Sequence, residues 1–374
     1  MLKLLLCFGT RPEAIKMAPI IHECKRRNIS FKVCVTAQHR EMLDQVLDFF
    51  EIQPDYDLNL MKAGQSLNSL SAAIFNKFDQ VLELEQPDLL LVHGDTTTAS
   101  MISQVAFHRQ IKIGHVEAGL RTYNKSSPFP EEINRQIIGK IADFHFVPTI
   151  NAKNNLLSEQ VPLEQIILTG NSVVDALEWA GVKIERIGLP QEIHNIQTCL
   201  DPKKKLILIT GHRRENFGKG LEEICEALLE LSQNTDIELV FPMHLNPKVT
   251  STVEKTLKDK PNIHLIAPVS YPSLLWLMKK SIFIISDSGG IQEEAPAFGK
   301  PVIVTRNVSE RMEGVEAGFS FLTGTSKTKI LKEANQIIGQ PPNFEGKKNP
   351  YGDGKAAQRI VAFLASLARS SSNE

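Results

Sequence analysis

Carboxylates stand at the ends of two apolar runs in the first half of the chain. The run LLLVHGD ends at Asp95, and the run IGHVE ends at Glu117. Glu131 follows a Pro-Phe-Pro sequence and opens a predicted helix. Ligands of α/β proteins bind at the carboxyl ends of parallel strands, so we expect these acids in one crevice. Neighbouring acids shift one another's pKa values, which is what general acid–base catalysis requires.

Each acid also has a simpler structural explanation. Asp95 precedes a threonine-rich helix start, and an aspartate there would stabilise the helix as its N-cap. Glu117 fits this explanation less well, because glutamate is a poor cap and the Ala-Gly that follows leaves space around it. Glu131 would benefit from the helix dipole in the first turn after Pro130. Arg135, one turn later, could pair with Glu131 or bind a phosphate.

Two glycine-containing loops are typical of phosphate binding. FGTRPEA joins a predicted strand to a helix N-terminus, and Arg11 and Lys16 add two cations beside it. SDSGGIQEE places open backbone N–H groups at 288–290, at the start of another helix, where they can bind a diphosphate. Glu294 follows in that helix and could hydrogen-bond ribose hydroxyls. The alternative in both loops is a capped helix start with charges facing the solvent.

A histidine follows the first predicted strand of the second half of the chain. His212 lies in GHRREN, beside Arg213, Arg214 and Glu215, at the carboxyl end of that strand. Although a lone histidine is usually structural, this setting predicts a role near a leaving phosphate. The sequence contains no Walker A motif and no G-x-G-x-x-G, which argues against NAD bound in the usual Rossmann mode.

Strand-like and helix-like runs alternate in both halves of the chain, which indicates mostly parallel, doubly wound sheets. From 188 to 205 the alternation lapses into a polar segment, which predicts an inter-domain boundary. We therefore predict an α/β fold of two Rossmann-like domains, 1–187 and 203–354, that face a cleft. The closing segment, 355–374, is predicted to be a helix that packs on the N-terminal domain.

Composition narrows the classes of function. The 374 residues carry a net charge of -1, with 42% hydrophobic and 23% charged residues, so neither a nucleic-acid stripe nor a membrane-seeking face is expected. The apolar run at 4–8 is too short for a secretory core, and no run approaches the length of a membrane span. The five cysteines are scattered without metal-ligand spacing. We expect a cytoplasmic protein without a metal site.

The chain carries many longer motifs, in order, between residue 3 and about 363: FGTRPEAIKMAP, TAQHREMLDQVL, HGDTTT, GHVEAGLRT, PFPEEINR, GNSVVDAL, HRREN, HLNP, SDSGGIQEEAP, GKPV and NPYGDG. Together they resemble the non-hydrolysing UDP-N-acetylglucosamine 2-epimerases. The resemblance implies a fold of the glycosyltransferase-B type with UDP mainly on the second domain, a homodimer, and no redox cofactor. It implies that UDP-GlcNAc and UDP-ManNAc interconvert by loss of UDP and of the C2 proton to give 2-acetamidoglucal. UDP then adds back after reprotonation on the opposite face.

The resemblance also implies roles for individual residues. The catalytic set would be Asp95, Glu117, Glu131 and His212, with His212 near the departing diphosphate. Which carboxylate serves which face of the sugar stays open. The positions that match contacts to UDP and sugar are Arg11, Lys16, Arg135, Leu274, Ser288, Gly289, Gly290, Glu294 and Arg311. Leu274 stands where a Phe commonly packs on uracil, and Met312 replaces a Pro in the loop that carries Arg311.

Bacterial members of this family resemble one another in a second UDP-GlcNAc site that activates the enzyme. The matching residues here are Gln38, His39, Gln65, Arg213, Glu215 and His244. Glu41 and Gly64 depart from the pattern, which often has Gln and Arg at these positions. An added acid and a missing cation beside a diphosphate predict weaker binding of the effector.

Other functions fit parts of the sequence. Among enzymes, the alternatives are a 2-epimerase of a modified sugar, such as a UDP-2,3-diacetamido-uronic acid, and a hydrolysing 2-epimerase that releases ManNAc and UDP. From other classes, the alternatives are a glycosyltransferase and a nucleotide-sugar-binding regulator on the same scaffold. A transferase does not need three acids at the strand ends of the first domain, and a pure binder needs none.

Overall fold

The computed structural model describes residues 2–37, 40–61, 64–211, 213, 216–243 and 246–370, without the side chains of 248 and 368–370. The chain folds into two compact units. Unit 1 comprises Met1–Trp179 and Tyr351–Glu374, and unit 2 comprises Ala180–Pro350. No helix within the described residues is long and apolar enough to cross a membrane.

In the described part of unit 1, one parallel sheet alternates with helices along the chain. The strands are β1 (Lys3–Phe8), β2 (Ser30–Val35), β3 (Tyr56–Asp57), β4 (Leu89–His93), β5 (Lys112–Val116), β6 (Phe144–Val147) and β7 (Ile166–Leu168). The helices are α1 (Arg11–Arg26), α2 (Arg40–Phe49), α3 (Leu67–Glu85), α4 (Thr97–His108), α5 (Glu131–Ile141), α6 (Ile150–Ser158) and α7 (Ser172–Ile187). The sheet order is β3-β2-β1-β4-β5-β6-β7, so β1, β4 and β5 are neighbours at its centre.

The central strands bring two of the three predicted acids, Asp95 and Glu117, together. Residues 4–6 of β1 are fully buried leucines, as expected for a parallel strand that is covered on both faces. The register of β4 and β5 pairs His93 with Val116 at the carboxyl ends of the two strands. Asp95 and Glu117 follow these ends, so the sheet places the two acids side by side.

In the described part of unit 2, a second parallel sheet has the order β10-β9-β8-β11-β12-β13. Its strands are β8 (Lys205–Thr210), β9 (Ile237–Pro242), β10 (Ile263–Ile266), β11 (Phe283–Ser286), β12 (Val302–Val304) and β13 (Ser320–Leu322). The helices are α8 (Gln191–Thr198), α9 (Lys219–Leu231), α10 (Pro247–Leu257), α11 (Tyr271–Lys280), α12 (Gly289–Glu294), α13 (Met312–Glu316) and α14 (Lys327–Gly339). The prediction of an α/β fold with two doubly wound, Rossmann-like sheets is confirmed.

The segment predicted to be the inter-domain boundary, 188–205, contains α8 and lies within unit 2. Ile193 and Ile196 are buried at helical spacing. Two apolar positions within eight residues are too weak a pattern to predict a helix from the sequence. Glu192 fixes the helix, since its carboxylate accepts hydrogen bonds from the backbone N–H and the hydroxyl of Ser270, the residue before α11. The change from unit 1 to unit 2 lies upstream, inside α7.

The last helix, α15 (Ala356–Ser370), belongs to unit 1. Asp175 of α7 accepts hydrogen bonds from the backbone N–H groups of Ala356 and Ala357 at 3.2 and 2.8 Å, and so caps the helix. Phe363 packs edge-on against Phe144 of β6, with ring centroids 5.2 Å apart. The closing helix is thereby attached to the same unit as β1, β4 and β5.

Replacing Gly119 with alanine should reduce the free energy of unfolding by more than ~3 kcal/mol. Its φ is +86°, and an added Cβ would lie 2.3 Å from the carbonyl oxygen of Ala152. Gly188 is the matched control, because its φ is +79° but nothing lies within 4 Å of an added Cβ. Gly188→Ala should therefore cost only ~1 kcal/mol. Urea unfolding measures both losses, and equal losses would contradict the packing argument.

Candidate active site

The turn after β4 shows that Asp95 is not the cap of α4. The N-cap is Thr96, whose Oγ1 accepts a hydrogen bond from the backbone N–H of Ala99 at 3.0 Å. Gly94 has a φ of +69°, which turns the chain sharply between strand and helix. The Asp95 carboxylate is instead ion-paired with Arg135. The capping explanation for Asp95 is therefore wrong, because the neighbouring threonine fills that position.

Glu117 occupies an unusual backbone conformation directly after β5. Its φ is +62°, a left-handed value that is uncommon for a residue other than glycine and costs about 1–3 kcal/mol. Its side chain is only 5% exposed. Lys16 of α1 forms an ion pair with its Oε2, and Asn171 donates to the same oxygen at 3.1 Å. A strained backbone that holds a buried acid in one orientation is typical of a functional site.

Arg135 of α5 joins the two acids. Its Nη2 pairs with the Asp95 carboxylate and lies 3.5 Å from Glu117 Oε1, while its Nη1 donates to the Glu117 carbonyl. With Lys16, the cluster holds two cations and two carboxylates, so its charges balance. Such balance is what permits ionised groups to stay charged when they are buried. In this structure Lys16 and Arg135, both predicted to contact UDP, are partners of the acids.

The two consecutive glutamates at the start of α5 have different surroundings. Glu132 is buried, and it accepts hydrogen bonds from the backbone N–H groups of Thr122 and Tyr123 at 2.9 and 3.1 Å. It therefore holds the preceding loop in place. Glu131 is half-buried in the first turn of the helix, where the helix dipole favours a carboxylate. Asn134, in the same helix, donates to the Asp95 carbonyl at 3.0 Å and ties α5 to the β4 turn.

The predicted phosphate site at the start of α1 is filled by the chain's own carboxylate. Glu13 accepts hydrogen bonds from the backbone N–H groups of Gly9 and Thr10 at 3.0 and 2.8 Å. Its other oxygen accepts from the hydroxyl of Thr96 at 2.7 Å. Burial raises the pKa of Glu13, and these hydrogen bonds oppose the rise. Arg11 is half-buried in the first turn of the same helix.

Two histidines at these strand ends are buried, and neither was predicted as a site residue. Burial lowers the pKa of His93 to about 4, although the nearby Glu117 charge opposes this, and its Nε2 lies 3.6 Å from Glu117 Oε2. Burial also holds the pKa of His115 well below its ordinary value, and its Nε2 is 2.7 Å from the Gly94 carbonyl. Both are therefore neutral at physiological pH. The only sequence signal for His93 was its place in the HGDTTT motif.

In unit 2, the carboxyl ends of β8 and β11 carry the predicted diphosphate loop. Ser286 accepts a hydrogen bond from the backbone N–H of Ser288 at 2.9 Å, and its hydroxyl is 2.6 Å from that of Thr210. Asp287 is buried and accepts from the backbone N–H of Arg213 at 2.9 Å. These bonds fix the loop between β11 and α12. A pocket beside it is lined by residues that include Thr210, Gly211, Arg213, Asp287 and Thr305.

Arg311 lies against this loop, as its predicted role requires. A Cβ on Gly289 would lie 2.6 Å from its Cζ, so only glycine leaves room for the guanidinium there. Its Nε donates to Glu293 at 2.7 Å, and its Nη1 pairs with Glu310. Burial alone would raise the pKa of Glu310, but the charges of Arg311 and of two further arginines lower it to about 2. The Met312 that replaces a proline begins α13 directly after this arginine.

The remaining predicted contacts lie on neighbouring helices of unit 2. Glu294 is buried at the end of α12 and accepts a hydrogen bond from the Tyr271 hydroxyl at 3.1 Å. Leu274 is half-buried one turn further along α11. Gly290 lies in the first turn of α12. The structure thus brings Ser288, Gly289, Gly290, Glu294 and Arg311 into one region of unit 2.

Several predicted residues lie outside the described part of the chain. These are His212 of the catalytic set and Gln38, His39, Glu215 and His244 of the effector site. Gln65 is half-buried, and Glu41 and Gly64 are exposed. The effector site therefore stays a prediction. Within the described residues, no group of three or more His, Cys, Asp or Glu side chains is placed to hold a metal ion.

Comparison with known proteins gives consistent matches. Residues 22–365 match the family model described as UDP-N-acetylglucosamine 2-epimerase. The UDP-N-acetylglucosamine 2-epimerase of Campylobacter jejuni is 49% identical over 372 residues, which cover 97% of each chain. The crystal structure of the Neisseria meningitidis UDP-GlcNAc 2-epimerase bound to UDP-GlcNAc is 47% identical, with a TM-score of 0.94 over 98% of this chain and 100% of that chain. The Methanocaldococcus jannaschii UDP-GlcNAc 2-epimerase in complex with UDP-GlcNAc and UDP is 33% identical, with a TM-score of 0.86 over 98% and 100%.

Acid should destabilise unit 1 between about pH 6.5 and pH 4 because of its buried neutral histidines. Burial lowers the pKa of His145 from 6.5 to about 4, as it does for His93. The unfolded chain therefore binds these protons at a higher pH than the folded chain, and stability falls as pH falls. Each imidazole should reduce the free energy of unfolding by roughly 2 kcal/mol between pH 7 and pH 5.

His145→Gln should remove about 2 kcal/mol of this pH-dependent loss. Unfolding in urea at pH 7 and pH 5 can be followed by Trp179 fluorescence in a Trp276→Phe background, since the chain has two tryptophans. His108→Gln is the control, because His108 belongs to the same unit but is exposed. A pH dependence that is the same in His145→Gln as in the reference protein would contradict this explanation.

Proposed function

The chain belongs to the UDP-N-acetylglucosamine 2-epimerase family, and we propose that the ion network of unit 1 performs its proton transfers. The protein is an isomerase that interconverts UDP-GlcNAc and UDP-ManNAc, and its fold is of the glycosyltransferase-B type. One observation supports the assignment of the chemistry most strongly. Asp95 and Glu117 follow adjacent strands and are held by ion pairs with Arg135 and Lys16.

The reaction requires a base, an acid and a leaving group. Removal of the C2 proton leaves the C2–H electron pair to form a C1=C2 double bond. The C1–O bond breaks, and its electron pair leaves with the β-phosphate oxygen of UDP. In the return step, C2 takes a proton on its other face, and an oxygen of the freely rotating β-phosphate of UDP attacks C1. Atoms and electrons balance without any oxidant or reductant.

We propose that Glu117 acts in its ionised form. Lys16 and Asn171 contact Oε2, and Arg135 lies near Oε1, so every one of these contacts stabilises the carboxylate. The ionised group can remove the C2 proton or stabilise positive charge that develops at C1. The second proton-transfer group, on the other face of the sugar, comes from Asp95 or Glu131.

We propose that unit 2 binds the UDP moiety. Arg311 against Gly289 provides a guanidinium beside backbone N–H groups, which suits a diphosphate. Glu294, positioned by Tyr271, would accept hydrogen bonds from ribose hydroxyls. From the resemblance, His212 would stabilise the departing diphosphate. Lys16 and Arg135 are better placed to serve the acids than to bind UDP, because both already contact carboxylates.

The comparisons favour the epimerase over the alternatives. Relatives that match nearly the full length are named UDP-N-acetylglucosamine 2-epimerases. A glycosyltransferase or a regulator would not need two ion-paired acids at the strand ends of unit 1. A modified UDP-sugar as substrate is the second candidate within the same chemistry, and the turnover of the two sugars would separate them.

We propose further that the protein is a cytoplasmic homodimer whose product enters polysaccharide biosynthesis. The family resemblance supports the dimer and the pathway, and the scattered cysteines support the reducing compartment. Light scattering after size exclusion should give about twice the 41.7 kDa mass of the chain. A mass near 41.7 kDa would contradict the dimer.

The protein should convert UDP-GlcNAc to UDP-ManNAc by cleaving the C1–O bond. Proton NMR should show new anomeric signals of UDP-ManNAc, with no requirement for NAD. In UDP-GlcNAc that carries ¹⁸O between C1 and the β-phosphorus, the label should scramble into non-bridging phosphate positions as UDP leaves and returns. Absence of both UDP-ManNAc and scrambling would contradict the proposed reaction.

Glu117→Gln should lower kcat by about 10³-fold or more, because a neutral amide cannot take a proton or supply negative charge. Glu23→Gln is the matched control. Glu23 is also a buried glutamate of unit 1 paired with arginines, Arg26 and Arg27, and its variant should keep kcat within about twofold. Initial rates of UDP-ManNAc formation measure both. Similar kcat values for Glu117→Gln and wild-type protein would exclude Glu117 from catalysis.

A further inference from the structure

A buried asparagine of unit 1 contacts the proposed catalytic acid. Asn171 lies between β7 and α7, and its side-chain Nδ2 donates to Glu117 Oε2 at 3.1 Å. The two residues are 3% and 5% exposed. Sequence reasoning placed Asn171 in the GNSVVDAL motif without giving it a role. The contact therefore adds a neutral donor to the charged partners of this carboxylate.

The amide of Asn171 is held in one orientation. Its Oδ1 accepts a hydrogen bond from the backbone N–H of Val173 at 3.0 Å, so its amino group faces Glu117. Its own backbone N–H donates to the Tyr351 carbonyl at 2.7 Å. Both the position and the direction of this donor are therefore fixed before substrate binds.

The backbone contact belongs to the NPYGDG segment near the end of the chain. A Cβ on Gly352 would lie 3.3 Å from Gly170 Cα and 3.5 Å from the Asn171 nitrogen, so the two backbones are in close contact. Arg359 Nη1 donates to the Thr169 carbonyl at 2.9 Å. The C-terminal segment thus supports the loop that carries the asparagine, which gives the motif a physical function.

We propose that Asn171 is a positioning residue for the epimerisation, which keeps Glu117 ionised and fixes the direction of its carboxylate. Lys16 supplies charge to the same oxygen, but a flexible ammonium does little to fix direction. A rigid amide N–H fixes the direction of the Glu117 carboxylate, and it stabilises the ionised form over the protonated acid. This inference rests on the proposed function.

The test compares wild-type protein with Asn171→Ala and Asn171→Ser, which both remove the amide N–H that donates to Glu117. In each variant kcat should fall about 10- to 100-fold while KM changes less than about threefold, because the acid is misplaced but UDP is still bound. The acid limb of the kcat–pH profile should move up by about one pH unit, since losing a donor raises the pKa of Glu117. The serine variant keeps a polar side chain for folding.

Asn262→Ala is the matched control. Asn262 is a buried asparagine of unit 2 that donates to the Ser232 carbonyl at 3.0 Å. Its variant should lose stability but keep the wild-type pH profile. Wild-type kcat and pH profile in a folded Asn171 variant would overturn the inference. If wild-type protein makes no UDP-ManNAc, the proposed function fails instead, so the two failures are distinguishable.

Discussion

The fork of Arg135 between Asp95 and Glu117 is the interaction on which the proposed site of unit 1 depends. Two ionised carboxylates at the ends of adjacent strands would repel each other, and Glu117, which is buried, would also lose several kcal/mol of hydration. The guanidinium contacts both acids and also the Glu117 carbonyl, and Lys16 adds the second positive charge. These two cations therefore offset the repulsion between the acids and hold both side chains in place.

Several elements of unit 1 contribute residues to this cluster. β4 and β5 supply the acids, α1 and α5 supply the cations, and the segment before α7 supplies a neutral donor. The left-handed backbone of Glu117 costs conformational free energy, which the surrounding contacts offset. Each partner comes from a different part of the sequence, so the site exists only when the whole unit is folded.

Sequence patterns predicted the two sheets, and they placed Asp95 and Glu117 at strand ends, because apolar runs and the carboxylates that follow them are local signals. Sequence patterns could not predict which groups each of these side chains contacts. Asp95 and Thr96 are both good caps, and only the structure shows that the threonine fills this role. Glu13 looked like part of a phosphate loop but closes its own helix N-terminus. The contact between Asn171 and Glu117 joins residues 54 positions apart, for which the sequence holds no periodic signal.

Hydrogen exchange at C2 of the sugar in Arg135→Lys tests the central claim most directly. Lysine keeps the charge but cannot contact both carboxylates as the guanidinium fork does. In D₂O and saturating UDP-GlcNAc, deuterium should enter C2 at least about 100-fold more slowly than with wild-type protein, while calorimetry shows UDP affinity within about threefold. Wild-type exchange combined with a large loss of UDP affinity would contradict the claim, because Arg135 would then serve the nucleotide and not the acids.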